Sequence, residues 1–597
     1  MKFVNLSLFL PAIAFMRDGV VGCQELGANS TDTCVYVTDT NTTFVGSTVP
    51  NWDGIPVDNF LGIKYATFDE RFAPSTSFMS SSGNGSAFLV NATEYGPECA
   101  QPSVPEGVNY SEDCLYLNIF RPSQQKERSR SVMVWIHGGQ WVSGAGSIYD
   151  GTNLAGTEDV VVVSINYRLG VFGNLPTSRN GSGGMNGLLD VVNALKWVKD
   201  YIVFFGGDPN KVTIFGESAG GINSCFLSVC PQAKGLFLRA IIQSGQCVAF
   251  TAGSQTPEQG AKQLEGVLQK MNCTSPPCTI EDLKSLPTEQ LLDDPFYRFY
   301  PTIDPAVLPA SPVELYREGK INPTDMIIGA NTVDNGDVLG YAMESESQRE
   351  SWIEAYSNFE VLRNQSHSLV AVSDKVLNDI EAAYPPNKYG GSIISATNHA
   401  MGDMNFLCYS RELAAIAASK IDGTVFQYIF GHNSGMEVAN VTLLKNTGIE
   451  DPFWSTHAAD LPYTFGYPVE LFYIKSIPED AIALTREIMA RWANFAKSGN
   501  PQVTSTSSSY DQWKPVPKSL YDASSTDAVD APYLNFTGEG GKLVEANREK
   551  TDQCTAVIPA EPSYLEGHIT SAARVSCTMN LSALAGYMIG LLGFMAI

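Results

Sequence analysis

Phe205–Gly221 reads FGGDPNKVTIFGESAGG and runs on into the small-residue segment GINSCFL, Gly221–Leu227. Val212–Phe215 (VTIF) is a short apolar run of the kind that forms a buried strand. Directly after it, Gly216 and Gly220 flank Glu217-Ser218-Ala219. Glycines on both sides of a serine let the backbone turn sharply from strand to helix, and such a turn pushes the Ser218 hydroxyl out of the sheet. The N-terminus of the helix behind it favours negative charge developing there. A bare G-x-S-x-G is often an ordinary glycine-rich loop. Here a strand precedes it and a helical segment follows, so Ser218 is a candidate nucleophile.

The same alternation continues on both sides. Val132–Ile136 (VMVWI) and Val160–Ile165 (VVVVSI) are unpunctuated apolar runs, as expected of strands covered by helices on both faces. Between Gly187 and Phe205 the apolar Leu188, Val191, Val192, Leu195, Trp197 and Val198 recur at helical spacing. Strand, helix, strand with both strands buried predicts an α/β fold on a parallel sheet. Ala240–Gln243, Met326–Gly329 and Val425–Phe430 can supply further strands, and Thr256–Leu292 and Ser345–Ala383 read as helical insertions forming a cap. One domain over residues 23–555 is expected.

Among 597 residues, 38 Lys+Arg face 63 Asp+Glu, a net charge of −25 that excludes a nucleic-acid binder working through basic phosphate contacts. With 44% hydrophobic and 17% charged residues the chain is globular with a large core. Met1-Lys2 and the apolar run Phe3–Phe15 have the layout of a secretory signal, placed at residues 1–22. Sequons begin at Asn29, Asn41, Asn84, Asn91, Asn109, Asn180, Asn272, Asn364, Asn440 and Asn535 and point to the same pathway. At the other end, residues 581–597 are apolar and uncharged, preceded by Ser571-Ala572-Ala573 and a polar spacer within a stalk at residues 556–580. That is the layout of a glycolipid-anchor (GPI) signal, with a marginal membrane helix as the competing reading. The location expected is secreted or at the extracellular surface.

Twelve cysteines suit an oxidising compartment. No Cys-x2-Cys pair faces a second such pair or a His-x3-5-His, so no metal site is expected, and no cofactor motif appears. Cys99/Cys114 and Cys273/Cys278 each bracket a short Pro-containing polar loop and read as local disulfides, with Cys23/Cys34 as a candidate third. The pairing of Cys225, Cys230, Cys247, Cys408, Cys554 and Cys577 is open.

A serine that attacks a carbonyl needs donors for the oxyanion. His137-Gly138-Gly139-Gln140-Trp141 follows the strand VMVWI, and its glycines allow close approach of backbone N–H groups. Gly139, Gln140 and, from the elbow, Ala219 are the expected donors. The base must titrate near neutrality, and the chain has only six histidines: His137, His367, His399, His432, His457 and His568.

EDCLYLNIF (Glu112–Phe120), HGGQW, NYRLGVFG (Asn166–Gly173), FGGDPNKVTIFGESAGG and IIQSG (Ile241–Gly245) together resemble the type-B carboxylesterase/lipase family, the cholinesterase-like branch of the α/β-hydrolases. The resemblance covers Gly46 to Lys518. It implies the doubly wound α/β-hydrolase sheet, carboxylic-ester hydrolysis through an acyl-enzyme, and a triad in the chain order serine, acid, histidine. His457, in STHAADLPYTFG, is similar to the family's histidine loop. The family has Gly, four residues, the acid, then Gly. Counted without a gap from Gly329 the acid is Asp334; counted back from Gly336 it is Asn335, which carries no charge to stabilise an imidazolium. Chemistry favours Asp334, with Asp337 as fallback. Arg71 with Glu112 and Arg168 with Asp190 resemble two buried family ion pairs, and Glu217 and Ser244 beside the elbow are candidates for orienting a water or the triad.

The Cys99–Cys114 loop, AQPSVPEGVNYSED, holds no tryptophan. It therefore lacks the aromatic that receives quaternary ammonium in cholinesterases, and the long apolar lid of the family's fungal lipases. Trp141, Phe250, Tyr297 and Phe299, with Phe296 and Tyr300, are candidates for the wall of a substrate pocket. Small to medium esters are the expected substrates. A lipase or sterol esterase is the alternative, and a silent adhesion homologue is disfavoured by the intact Ser218, His457 and oxyanion turn. Nothing in the chain sets the oligomeric state.

Overall fold

The structure, a computed structural model, describes residues 32–557 apart from 80–87, 103, 105–106, 124–128, 249–253, 272–276, 294–295, 335–373, 433–454, 467–478, 504–510, 522–530, 538–539 and 546. The predicted signal and the tail therefore lie outside the described residues. No helix among the described residues is long and apolar enough to cross a membrane.

A 13-stranded sheet organises the chain. Its strands are β1 (Asp32–Val37), β2 (Thr42–Pro50), β3 (Pro56–Lys64), β4 (Phe88–Asn91), β5 (Tyr116–Pro122), β6 (Arg130–Ile136), β7 (Val161–Ile165), β8 (Gly207–Glu217), β9 (Arg239–Gln243), β10 (Asp325–Asn331), β11 (Val425–Phe430), β12 (Tyr533–Thr537) and β13 (Gly540–Val544). They lie in the order β1-β2-β3-β5-β7-β6-β8-β9-β10-β11-β12-β13, with β4 pairing β2. From β7 to β12 every neighbouring pair is parallel. The flanks β1, β2, β3, β5 and β13 join antiparallel.

The parallel strands are the ones that read as unbroken apolar runs, and the reason is burial on both faces. Along β6, Val132, Val134 and Ile136 enter one core while Met133 and Trp135 enter the other. Strands β7, β8, β9 and β10 alternate in the same way. Helix α1 (Asn186–Tyr201) closes the first core through Leu188, Val191, Leu195 and Val198. Across the sheet, α5 (Glu479–Ser498) closes the second through Leu484, Ile488 and Trp492. Between them in sequence come α2 (Ala219–Leu227), α3 (Pro257–Lys270) and α4 (Cys408–Lys420), and α6 (Arg548–Val557) follows α5.

The insertion between β9 and β10 is helical as expected: α3 is followed by the short helices Ile280–Lys284 and Thr288–Leu291. Of the second predicted insertion, the described part is the helix Asp374–Ala383. Arg168 and Asp190 form a bidentate pair at 2.8 Å with side chains 2% and 0% exposed. Arg71 and Glu112 do pair, but they are half-buried and not fully buried, with side chains 21% and 18% exposed; Arg71 also reaches Lys284 O of the first insertion.

Cys99–Cys114 is a disulfide, as are Cys225–Cys247 and Cys408–Cys554, and Cys230 is a buried free thiol. Cys34 and Cys278 are disulfide-bonded. Their expected partners Cys23 and Cys273, like Cys577, lie outside the described residues.

Candidate active site

The site is built where the strand order turns back on itself. From β6 the chain crosses to β7 on one side and returns through α1 to β8 on the other, so the loops after β6 and β8 leave their strands in different directions, opening the crevice in which α/β sheets bind ligands. Ile136 pairs with Gly216, so the turn His137–Trp141 stands beside the elbow at Ser218. The approach is too tight for a side chain: a Cβ on Gly138 would lie 2.9 Å from Glu217 Oε2 and 3.1 Å from Ser218 Cβ.

Ser218 is the N-cap of α2, with φ 55° and ψ −126°. Such a left-handed backbone is costly for a residue with a Cβ and persists only where its surroundings impose it. Here the constraint is a bond from Ser218 N to Gln243 O at 3.0 Å and glycines packed on neighbouring backbone. Gln140 and Trp141 follow Gly139 with φ 56° and 58°, a left-handed stretch that ends the extended backbone of β6. The N–H groups of Gly139 and Gln140 donate to no backbone carbonyl among the described residues, and Ala219 opens α2 without an intrahelical acceptor. Buried His137 stacks on Tyr167 at 4.3 Å, and burial pulls its pKa down to about 4, so a neutral imidazole supports this turn.

The histidine and acid loops meet through backbone. Val333 N donates to Ser455 O at 3.1 Å, and Asn331 Nδ2 to Thr456 O at 2.6 Å. This zipper brings His457 Nδ1 within 2.6 Å of Asp334 Oδ1 and His457 Nε2 within 2.8 Å of Ser218 Oγ. Asp334 is fully buried, and its second oxygen accepts from Asn331 N at 2.8 Å. The gap-free register from Gly329 thus puts a carboxylate on the imidazole. Asn335 and Asp337 lie outside the described residues.

Three carboxylates set the electrostatics. Burial alone would lower the His457 pKa, but Glu217, Asp334 and Asp460 outweigh it and push it up to about 9. Glu217 Oε1 lies 3.2 Å from His457 Nε2. Its own carboxyl is pushed up to about 8, chiefly by burial, with His457 opposing and Asp460 and Asp334 reinforcing the rise. Asp460 accepts from Gln243 Nε2 at 2.8 Å and Tyr428 OH at 2.9 Å, while Trp492 Nε1 donates to Gln243 Oε1 at 3.1 Å. This floor of the site carries no short-range motif and escapes sequence reading. Ser244 has φ 46° and gives its N–H to Gly329 O, fastening the elbow's neighbour to the end of β10.

The aromatic wall needs correction. Tyr297 and Phe299 are 1% and 0% exposed, and the Tyr297 hydroxyl donates to Val142 O at 2.6 Å. Tyr297 thus packs behind the turn His137–Trp141 through its hydroxyl and Phe299 is buried in the core, so neither offers a ring to solvent. Trp141 is 4% exposed and gives its indole N–H to Asn223 Oδ1 at 3.0 Å. Phe250 lies outside the described residues. An aromatic that does reach His457 is Phe406, whose ring stacks on the imidazole and for which the sequence offers no spacing signal.

Residues 34–534 match the family model for the carboxylesterase family. The chain belongs to the carboxylesterase family. Liver carboxylesterase of Sus scrofa is 32% identical over 488 residues, covering 75% of this chain and 82% of that protein. The para-nitrobenzyl esterase of Bacillus subtilis (strain 168) is 33% identical over 437 residues, 69% of this chain and 81% of its own. The medium-chain fatty acyl-CoA hydrolase precursor of Anas platyrhynchos is 32% identical over 436 residues, 69% and 75%. As a carboxylesterase-family α/β-hydrolase, the chain is a carboxylic-ester hydrolase.

Proposed function

We propose that this carboxylesterase works through a Ser218–His457–Asp334 triad and an acyl-enzyme. The observation that carries the reading is one imidazole bridging a hydroxyl at 2.8 Å and a buried carboxylate at 2.6 Å. His457 Nε2 takes the Ser218 proton as Oγ attacks the ester carbonyl carbon. The N–H groups of Gly139, Gln140 and Ala219 hold the oxyanion. The proton then passes to the departing alkoxide, leaving the acyl group on Oγ. Water, deprotonated by the same nitrogen, attacks that carbonyl and releases the acid and free serine.

The proposed substrates are small to medium neutral esters, supported by the relatives named for para-nitrobenzyl and medium-chain substrates and by a Cys99–Cys114 loop without tryptophan. Secretion, glycosylation and a C-terminal lipid anchor belong to the same proposal, supported by the leader, the sequons and the disulfides. The test is a chain-length series of p-nitrophenyl esters with wild type and Ser218→Ala, together with an organophosphonate label. Turnover and labelling are expected to vanish in the variant and rates to peak at short or medium acyl chains. Labelling that survives Ser218→Ala would reject the nucleophile, and a maximum at long chains with interfacial activation would make the protein a lipase.

A further inference from the structure

Asp403–Leu407 form a π-helical turn between the helix Ile393–Gly402 and α4. Such turns inside α-helices are frequent at functional sites, and this one faces the triad. The Phe406 ring stacks on the His457 ring at a centroid distance of 4.6 Å and 23° between planes. Next to it, Asn405 O accepts from Gln246 Nε2 at 3.1 Å. Gly402, where the turn begins, is pressed so closely on the acid loop that a Cβ would lie 2.6 Å from Asp334 N. The far side of the turn is anchored. Buried Asp403 accepts from Tyr384 OH and from Lys550 Nζ of α6, both at 2.6 Å, and Cys408 is bonded to Cys554 of α6.

The stacked ring matters because His457 Nε2 has two oxygen neighbours, Ser218 Oγ at 2.8 Å and Glu217 Oε1 at 3.2 Å. The torsion that swings an imidazole is broad, so a small rotation would turn Nε2 from the serine toward the carboxylate. A ring lying flat against one imidazole face opposes that rotation. We propose that Phe406 is a positioning residue for His457, holding the imidazole in the plane in which it meets Ser218 and Asp334 and supporting, through its π-face, the imidazolium formed when Ser218 gives up its proton. This rests on the triad reading above.

The charged groups around the imidazole are Glu217 at the end of β8, Asp334 after β10 and Asp460 on the histidine's own loop. The π-turn contributes Asp403, whose carboxylate is engaged by Lys550. The aromatic face is therefore separable from the carboxylates by mutation. Phe406→Leu keeps an apolar side chain but removes the π-face, whereas Phe406→Tyr keeps it. With p-nitrophenyl acetate, Phe406→Leu is expected to lower kcat about tenfold, on the scale of a desolvated cation–π contact, with KM little changed. The acid limb of kcat/KM should move to lower pH, since the charged imidazole loses its partner. Phe406→Tyr should stay within about threefold of wild type.

An unchanged kcat in Phe406→Leu would overturn the proposal. So would an effect confined to KM, which would make Phe406 a substrate wall, or an acid limb that moves upward, the signature of water merely entering a cavity. If Phe406→Leu does not fold, Phe406→Met carries the same comparison. Ser218→Ala is assayed alongside: turnover surviving there would fault the triad reading, whereas a dead Ser218→Ala with a normal Phe406→Leu would fault the positioning role alone.

Discussion

An amide at position 334 would keep the shape of the carboxylate but not its charge, and the neutral form would favour the wrong imidazole tautomer. Asp334→Asn is therefore expected to fold normally, as checked by circular dichroism, and to lose on the order of 10⁴ in kcat, the loss that the same change causes in a serine-protease triad. Activity within tenfold of wild type would place the acid elsewhere. Glu217 is the carboxylate that does most to raise His457. Its replacement by glutamine lowers the histidine pKa, and a base that stays neutral to lower pH moves the acid limb of the kcat/KM profile downward. That shift, read over a pH range that extends on both sides of the wild-type value of about 9, checks the assignment. Ser218 and His457 are legible in the sequence because the elbow lies within one short motif and six histidines leave few choices. Phe406 is not, because its contact with His457 joins distant parts of the chain. Tyr297 and Phe299 are misplaced by sequence reading because a clustered aromatic looks the same whether it lines a pocket or packs a core.

At the level of elements, β6, β7, β9, β10 and β11 are legible almost to their ends, since apolar runs buried on both faces need no partner to be recognised; β8 begins at Gly207, well before its apolar run, and in β12 Asn535 interrupts the run that would mark it. The antiparallel flank is not legible. In β3 (PVDNFLGIK) the buried Asp58 breaks the apolar pattern, and it is tolerated because Arg121, Ser123 and Thr48 all donate to it. Placement on elements also separates the sequons. Asn91, Asn109 and Asn180 are exposed. Asn535 lies mid-strand in β12, hydrogen-bonded between β11 and β13, with its side-chain oxygen beside Gly431, where a Cβ would come within 2.8 Å. In protein expressed through a secretory pathway, glycopeptide mapping should find Asn91, Asn109 and Asn180 occupied and Asn535 bare. A glycan on Asn535 would require β12 to be unpaired when the sugar is attached.

Across the whole molecule, Cys408–Cys554 closes a sequence separation of 146 residues and ties α6 back onto α4. Cross-links over long loops remove the most freedom from the unfolded chain, and losing a native one typically costs about 2–5 kcal/mol. Replacing both cysteines by serine should lower the thermal midpoint and the denaturant midpoint together. Unchanged midpoints would mean that packing alone holds the C-terminal helix.

The strand order has one more consequence. From β8 to β13 the strands sit in the sheet in the order in which they occur in the chain. A ribosome delivers them in that sequence, at roughly 5–20 residues per second, so each can dock on an edge already built. Ser218 arrives early, Asp334 later and His457 last of the three. A chain that has not yet reached His457 carries the elbow without the imidazole, so under the proposed triad the serine gains its base only after eleven of the thirteen strands have been delivered.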